Sequence, residues 1–157
     1  MVSRRFMVGL YVTALVALAD QLSKWFVLRH MGDVEKTQAV TSWFNLVLVW
    51  NKGVTFGLLN HTGHAAMLWI LIGVAVAILL LLGRWLYRTE SLLVAVALGG
   101  IMGGAVGNVA DRLRHGAVVD FLDFHYQSWH WYAFNVGDAA IVAGVALLLL
   151  DGVVRGK

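Results

Sequence analysis

Residues 91–110, SLLVAVALGGIMGGAVGNVA, form a run of twenty positions without a charged side chain. An α-helix needs about 20 apolar residues to cross the hydrocarbon core of a bilayer. Glycines recur in this run at Gly99, Gly103 and Gly107, with the small-xxx-small spacing that brings transmembrane helices close together. The run is therefore predicted to be a membrane-spanning helix with closely packed neighbours.

The rest of the chain has the same apolar character. Of its 157 residues, 60% are hydrophobic and 13% are charged, whereas a soluble domain carries roughly 25% charged residues. Three more runs of span length lie at about 6–28, 65–82 and 135–154. We therefore predict a single integral membrane domain over residues 1–157, an all-α bundle of four transmembrane helices. The sequence has no Cys, which excludes disulfides and thiolate chemistry.

The basic residues predict the orientation of this bundle. The net charge of +3 is too small and too scattered to indicate nucleic acid binding, and the basic ends of a membrane protein account for it. Lys and Arg are dense in the two tails and in the short loop 83–90, but sparse in the two longer loops. Because charges in short loops set topology, both termini are predicted to be cytoplasmic.

The first nineteen residues allow a second interpretation. Arg4-Arg5, an apolar run and Ala17-Leu18-Ala19 together resemble a cleaved signal peptide. Cleavage there would leave three spans and would place Asp20 at a new N-terminus. We favour a first membrane span, so that Asp20 lies inside a helix.

Polar groups on three of the predicted helices share one depth. With ~1.5 Å per residue, Asp20, Asn108 and Asp138 lie about 21–24 Å from the assumed inner boundary. That is roughly 6–9 Å short of the outer boundary of a ~30 Å hydrocarbon core. Scattered structural charges have no reason to agree in depth, and ionisable groups in such a setting are by default functional.

Structural roles remain open for two of these groups. Asp20 and Lys24 have the i,i+4 spacing, acid first, of a helical ion pair that could simply neutralise itself. Asn135 and Asp138 have the spacing of an N-cap and its third helical residue, so capping alone could explain them.

A third group lies at the outer end of the third span. Asn108, Asp111 and Arg112 share one helical face, and Arg112 would complement the negative end of the helix dipole. An interfacial cap is therefore the structural alternative to a site role for these residues.

The two outer loops differ in character. Residues 43–50 are rich in strand formers, and Asn51-Lys52-Gly53 could turn them back through residues 54–57 as a hairpin. The second loop, in which we also expect Asp120, has seven aromatic residues among the fourteen from 121 to 134. An interfacial aromatic belt explains this composition, and the same surface could roof a cleft for lipid entry. The six histidines show no metal-ligand pattern, so no metal site is predicted.

Five features of the sequence carry a family resemblance. They are Asp20 near the end of the first span, NKGVTFG at 51–57, GNVADR at 107–112, GAVVDF at 116–121 and FNVGD at 134–138. In this order, and over essentially the whole chain, they resemble the bacterial lipoprotein signal peptidases, signal peptidase II. The family usually has Ala where this chain has Gly137, which loosens the start of a helix slightly.

The resemblance implies a site and an activity. The aspartates that match Asp120 and Asp138 are the catalytic pair of that family. The supporting residues that we predict, including the ion-pair partner Lys24 and the turn glycine, are Asp20, Lys24, Asn51, Gly53, Asn108, Asp111, Arg112 and Asn135. The implied reaction removes the signal peptide of a prolipoprotein, just before its diacylglyceryl-modified cysteine, with no metal or cofactor.

The resemblance also implies a location and a fold. The enzyme is expected in the bacterial inner membrane, with its active site near the outer face and a small extracytoplasmic β element beside the four helices. Prolipoproteins and membrane lipid are the expected partners of a monomer. Two other functions use the same residues: a small proton-coupled transporter subunit, with the acids as a relay, and a non-catalytic scaffold in which Asp138 is only a cap. Substrate turnover separates both from a peptidase.

Overall fold

The structure is a computed structural model that describes residues 3–32, 36–53 and 63–155. Its helices are α1 (Arg4–Met31), α2 (Gly63–Arg88), α3 (Leu92–His115) and α4 (Val136–Arg155). Its strands are β1 (Thr37–Ala39), β2 (Phe44–Asn51), β3 (Val118–Tyr126) and β4 (Trp129–His130). Within these described ranges, four helices are long and apolar enough to cross a membrane. The predicted fold class, four transmembrane helices with a small β element, is confirmed.

Helix α3 is the centre of the bundle, and its glycines explain why. A Cβ added to Gly103 would lie 2.7 Å from the Thr13 carbonyl oxygen of α1. One added to Gly104 would collide with the backbone of Gly137 in α4. The absence of side chains at these positions therefore lets both neighbouring backbones approach α3, as the small-residue spacing predicted.

Helices α1, α2 and α3 are longer than the predicted spans, whereas α4 has the predicted length. Helix α2 continues to Arg88, so most of the predicted basic loop 83–90 is helical and only residues 89–91 connect α2 to α3. Helix α1 likewise runs unbroken past Ala19, so the alternative cleavage point lies inside it. Hydropathy marks only the part of a helix that lies in lipid, whereas helical geometry continues into the interface.

Gly116 redirects the chain from α3 into the sheet. Its φ of 71° is left-handed, which glycine adopts without steric cost, and its N–H donates to the Arg112 carbonyl at 3.0 Å. Strand β3 begins two residues later, at Val118. The turn thus brings the start of β3 directly beside the last turns of α3.

The sheet has the order β1-β2-β3-β4, with all pairs antiparallel. In the register of β2 and β3, Val49 faces Asp120 and Trp50 faces Val119. Asp120 was expected in a loop, and that expectation was wrong, because β2 supplies a partner strand that lies far away in the sequence. The predicted return strand at 54–57 lies outside the described residues. The sheet rests on the end of α1 through a core of buried residues, Val27, Met31, Leu48, Val119 and Phe121.

Candidate active site

Asp120 lies at the junction of the sheet and the bundle, and its side chain is held by two amides. Only 1% of the residue is exposed. Its Oδ2 accepts a hydrogen bond from Asn51 Nδ2 at 2.9 Å, and its Oδ1 accepts one from Asn135 Nδ2 at 2.7 Å. Burial raises the pKa of Asp120 to about 6, although these two hydrogen bonds favour the ionised form.

Asn135 joins Asp120 to Asp138. The Asp138 N–H donates to Asn135 Oδ1 at 2.8 Å, and the Asn135 N–H donates back to Asp138 Oδ2 at 3.3 Å. This reciprocal pair is a capping box at the start of α4. A cap alone does not account for Asn135, because its Nδ2 group extends to Asp120 and its side chain is fully buried. The two aspartates therefore share one bridging residue.

Asn108 of α3 holds Asp138 from the other side. Its Nδ2 donates to Asp138 Oδ1 at 2.8 Å, while its Oδ1 accepts from Lys24 Nζ at 3.0 Å. Because a lysine ammonium can only donate, it fixes the oxygen of the Asn108 amide on its own side. The amide nitrogen is thereby directed at Asp138.

Lys24 is the buried cation of the site. Its Nζ lies 2.7 Å from Asp20 Oδ2 and 2.8 Å from Asp111 Oδ2, and all three residues are at most 2% exposed. The predicted pair of Asp20 and Lys24 is thus part of a larger cluster with Asp111. Asp111 Oδ2 also accepts from the Val119 N–H at 3.1 Å, which ties this cluster to the strand that carries Asp120.

Asp20 also fixes the start of α4. Its Oδ1 accepts from the Gly137 N–H at 2.8 Å, so the carboxylate lies against the positive end of that helix. A Cβ on Gly107 would collide with the Asp20 carboxylate, and a Cβ on Gly137 would lie 3.0 Å from Asp20 Oδ1. Close glycine packing therefore lets α1, α3 and α4 meet at this carboxylate.

Asn51 and Gly53 hold the outer side of the site. The Gly53 N–H donates to Asn51 Oδ1 at 2.8 Å, which leaves Asn51 Nδ2 directed at Asp120. Gly53 has a φ of 73°, and a Cβ placed there would lie 3.8 Å from Arg112 Nη2. Arg112 donates to the Asn108 carbonyl at 3.4 Å and interacts electrostatically with Asp120, Asp138 and Asp111, so a positive charge lies near the pair of aspartates.

Gln21 belongs to this cluster, although the sequence reading did not single it out. Its Nε2 donates to Asp111 Oδ1 at 2.9 Å and to the Gly107 carbonyl at 3.2 Å. Its Oε1 accepts from Arg114 Nη1 at 2.7 Å. A glutamine inside an apolar span needs such partners, and its place next to Asp20 was the signal that could have identified it.

Asp123 lies on the same strand as Asp120 but makes different contacts. Three positions apart on a strand, the two side chains point to opposite faces of the sheet. Asp123 Oδ2 accepts from Asn45 Nδ2 at 2.8 Å, and its carboxylate lies 2.9 Å from His130 Nδ1. Burial alone would raise the pKa of Asp123, but the hydrogen bonds from Asn45 and His130 outweigh it, and the pKa is lowered.

An apolar groove of about 400 Å³ begins at Asp138 and follows α4 away from the sheet. Its lining, besides Asp138, consists of Trp131, Phe134, Ala139, Val142, Ala143 and Ala146. The small side chains on α4 leave the space, and the two aromatic rings border its upper end. The candidate site is therefore continuous with a surface suited to a hydrocarbon chain.

Every predicted site residue thus belongs to one connected network of side-chain and backbone contacts around Asp120 and Asp138. Two carboxylates that are both bound by Asn135, one of them with a raised pKa, are a general acid–base arrangement that could hold and activate water. Among residues 3–32, 36–53 and 63–155, no group of three or more acidic or histidine side chains is arranged to hold a metal ion.

Known proteins similar to this chain are peptidases. Residues 12–154 match the family model described as signal peptidase (SPase) II. A lipoprotein signal peptidase of Methylobacterium sp. (strain 4-46) is 43% identical over 152 residues, which cover 96% of this chain and 91% of that protein. One from Syntrophotalea carbinolica is 42% identical and covers 93% of this chain and 91% of its own length.

Solved structures show the same fold. Two structures of a bacterial membrane enzyme superimpose with TM-scores of 0.76 and 0.78, at 23% sequence identity, and cover 95% and 91% of this chain. The resemblance carried by the five sequence features is confirmed by the family match and by the relatives. The chain belongs to the signal peptidase II family.

Proposed function

We propose that this protein is a lipoprotein signal peptidase that removes the signal peptide of prolipoproteins by an aspartic mechanism. The observation that carries the mechanism is the pair of carboxylates, Asp120 and Asp138, joined by Asn135 at the junction of sheet and bundle. The compared relatives are peptidases, and nothing in their names or in the family match supports the transporter alternative.

In this mechanism a water molecule held between the two carboxylates attacks the scissile carbonyl. One carboxylate removes a proton from the water, and the other, protonated, donates a hydrogen bond to the carbonyl oxygen. The tetrahedral intermediate then collapses as the C–N bond breaks, and the carboxylate that took the proton returns it to the leaving amine. Two neighbouring carboxylates resist double ionisation, so the pair holds its last proton to a higher pH than an isolated carboxylate would. Asn51, Asn108 and Asn135 orient the carboxylates, while Arg112 limits the negative charge of the site.

The groove along α4 supports a lipid-modified substrate. In a substrate cleaved just before a diacylglyceryl cysteine, the lipid is attached to the residue next to the scissile bond. A hydrocarbon chain must therefore leave the site within a few ångströms of the aspartates. The groove that starts at Asp138 and ends near Ala146 gives such a chain an apolar path along a membrane span.

A cleavage assay tests the function directly. We expect the purified protein, as a monomer in detergent, to convert a diacylglyceryl-modified precursor into the shortened lipoprotein, and to leave the unmodified precursor uncut. Turnover should persist in EDTA, because two carboxylates suffice to activate water. A loss of turnover in EDTA that one divalent ion restores would contradict the aspartic mechanism.

We place both termini in the cytoplasm and the sheet outside. The support is the concentration of arginine at one end of the bundle, where Arg4 and Arg5 begin α1 and Arg84 and Arg88 end α2. In spheroplasts that produce single-cysteine variants, an impermeant maleimide should label Lys52→Cys but not Val2→Cys until the cells are lysed. The chain has no cysteine of its own, so the background is low. Labelling of Val2→Cys in intact spheroplasts would reverse the topology.

The two aspartates should differ in where the resting proton lies. Asp138 is in the first turn of α4, and its carboxylate accepts hydrogen bonds from the Asn108 amide and from the Asn135 N–H. Asp120 is buried, and its pKa is raised to about 6. We therefore expect the proton mainly on Asp120 below about pH 6, and expect it to be lost as the pH rises through that value.

Infrared difference spectra between pH 5.5 and 7.5 measure this asymmetry. The protonated-carboxyl band should disappear in Asp120→Asn and persist in Asp138→Asn. The opposite pattern would reverse the assignment. Because a coupled pair titrates as a unit, one apparent pKa cannot be assigned to either aspartate. The assignment therefore depends on the comparison of the two variants.

A further inference from the structure

A groove with two arginines lies at the end of the bundle that is remote from the aspartates. It has a volume of about 660 Å³ between the first turns of α1 and α3, and Arg4, Arg5, Val8, Leu92 and Val96 line it. Ligand sites typically measure about 300–1,000 Å³. The groove thus combines an apolar floor with a cationic rim at the edge of the membrane.

Arg4 and Arg5 border the groove without a carboxylate ion-pair partner among the described residues. The first turns of α1 and α3 contain no acidic side chain, so both helix dipoles add positive potential at the groove. Two carboxylates lie near the start of α3. Glu90 precedes Ser91, and Asp151 of α4 lies 3.5 Å from Ser91 Oγ.

Topology alone does not explain this arrangement. The positive-inside tendency accounts for arginines at this end of the bundle, and Arg84 and Arg88 of α2 satisfy it without lining the groove. It does not require two arginines to border the same apolar groove. A ligand that is anionic at one end and apolar at the other accounts for both features of the groove.

We propose that this groove binds an anionic phospholipid of the leaflet that faces the two termini. Its phosphate would lie between the guanidinium groups of Arg4 and Arg5, which suit phosphate oxygens through bidentate hydrogen bonds. The upper part of one acyl chain would pack on Val8, Leu92 and Val96. Basic pockets between transmembrane helices are the usual setting for such headgroups.

Native mass spectrometry of the purified full-length protein tests the proposal. The protein is titrated in detergent with palmitoyl-oleoyl phosphatidylglycerol and, separately, with the corresponding phosphatidylcholine. We expect a retained adduct with phosphatidylglycerol at concentrations where phosphatidylcholine gives none. Each basic residue near a membrane surface contributes about a five-fold gain for anionic lipid, so Arg4→Gln/Arg5→Gln should bind it roughly thirty-fold more weakly.

Two matched controls separate this site from general charge effects. Arg84→Gln/Arg88→Gln removes the same charge from the same end of the bundle and should retain the adduct. Val8→Trp fills the apolar floor, keeps both arginines and should lose the adduct, whereas Leu15→Trp, two turns further along α1, should not. The comparison of Val8→Trp with Leu15→Trp tests the groove even if Arg4→Gln/Arg5→Gln is poorly folded.

Three results would overturn the proposal. They are equal retention of phosphatidylcholine and phosphatidylglycerol, unchanged binding in both Arg4→Gln/Arg5→Gln and Val8→Trp, and equal losses in the two double-arginine variants.

Discussion

Replacement of either Asp120 or Asp138 by asparagine should abolish precursor cleavage while the protein remains folded. General acid–base groups contribute about 10²–10⁴-fold each, and residues that act as a unit lose nearly everything when one is removed. We therefore expect a fall of at least roughly 10³-fold in turnover for each variant. Asparagine preserves the volume of aspartate, but its NH2 group cannot accept the hydrogen bond that one carboxylate oxygen accepts. Each variant should therefore lose some stability while it remains folded.

The matched control is Asp123→Asn. Asp123 is also buried, lies on the same strand and undergoes the same chemical change. Its partners are Asn45 and His130 rather than Asn51 and Asn135. Because the folded state lowers the pKa of Asp123, its ionised form stabilises the fold above the unfolded pKa, and this contribution disappears as the pH falls through the folded pKa. Asp123→Asn should therefore lose some thermal stability but retain turnover.

The measurement is a time course of lipidated precursor cleavage, with the unfolding temperature recorded for each variant in the same detergent. Near wild-type turnover by Asp120→Asn or Asp138→Asn would remove that residue from the pair. A loss of activity in Asp123→Asn as deep as theirs, without unfolding, would show that the effect is not specific to the pair.

The helices were the most predictable part of the fold. The composition of residues 91–110 is enough to predict a membrane span. The spacing of Gly99, Gly103 and Gly107 also predicts close packing, although it does not identify the helices that pack there. Helix ends were less predictable. Side chains must be apolar only where a helix crosses the hydrocarbon core of the bilayer. Helix α2 therefore extends beyond the apolar run and includes the charged residues Arg84 and Arg88.

The strand that carries Asp120 shows where sequence reasoning fails. Residues 118–126 become a strand because β2 pairs with them, and that pairing joins segments about seventy residues apart, such as Asn51 and Val118. Local propensity contains no information about such a partner. Because helical rise is regular, Asp20, Asn108 and Asp138 could be grouped at one depth from the sequence, and Lys24 and Asn108 connect them in the structure. Helical rise cannot place a residue that lies outside the helices.

The contacts within the site were also beyond the sequence. Lys24 was visible as the i,i+4 partner of Asp20, yet it also contacts Asn108, 84 positions away. Gln21 reaches Asp111 across 90 positions. The orientation of each amide follows from which neighbour can only donate and which can only accept. Such constraints appear only when the side chains are placed in space.

Replacement of Lys24 by methionine should be among the most destabilising single changes in the chain. Methionine fills most of the same volume, but it leaves Asp20 and Asp111 buried without the cation that lies 2.7 and 2.8 Å from them. Removal of one partner from a buried ion pair costs about 3–5 kcal/mol, because the remaining charge is left uncompensated. The matched control is Lys36→Met, which removes an exposed lysine and should change the unfolding temperature little.

A double-mutant cycle distinguishes this charge effect from a packing defect. Asp20→Asn should be less destabilising in the Lys24→Met background than in the wild-type protein, since it then removes an unpaired buried charge. The same cycle bears on activity, because Lys24 fixes the Asn108 amide that donates to Asp138. Lys24→Met should therefore lower turnover even at temperatures where the protein stays folded. If the changes in unfolding free energy of the two single variants add up to that of the double variant, the loss in Lys24→Met is a packing defect. If the folded Lys24→Met protein keeps full activity, Lys24 has no role in positioning the aspartates.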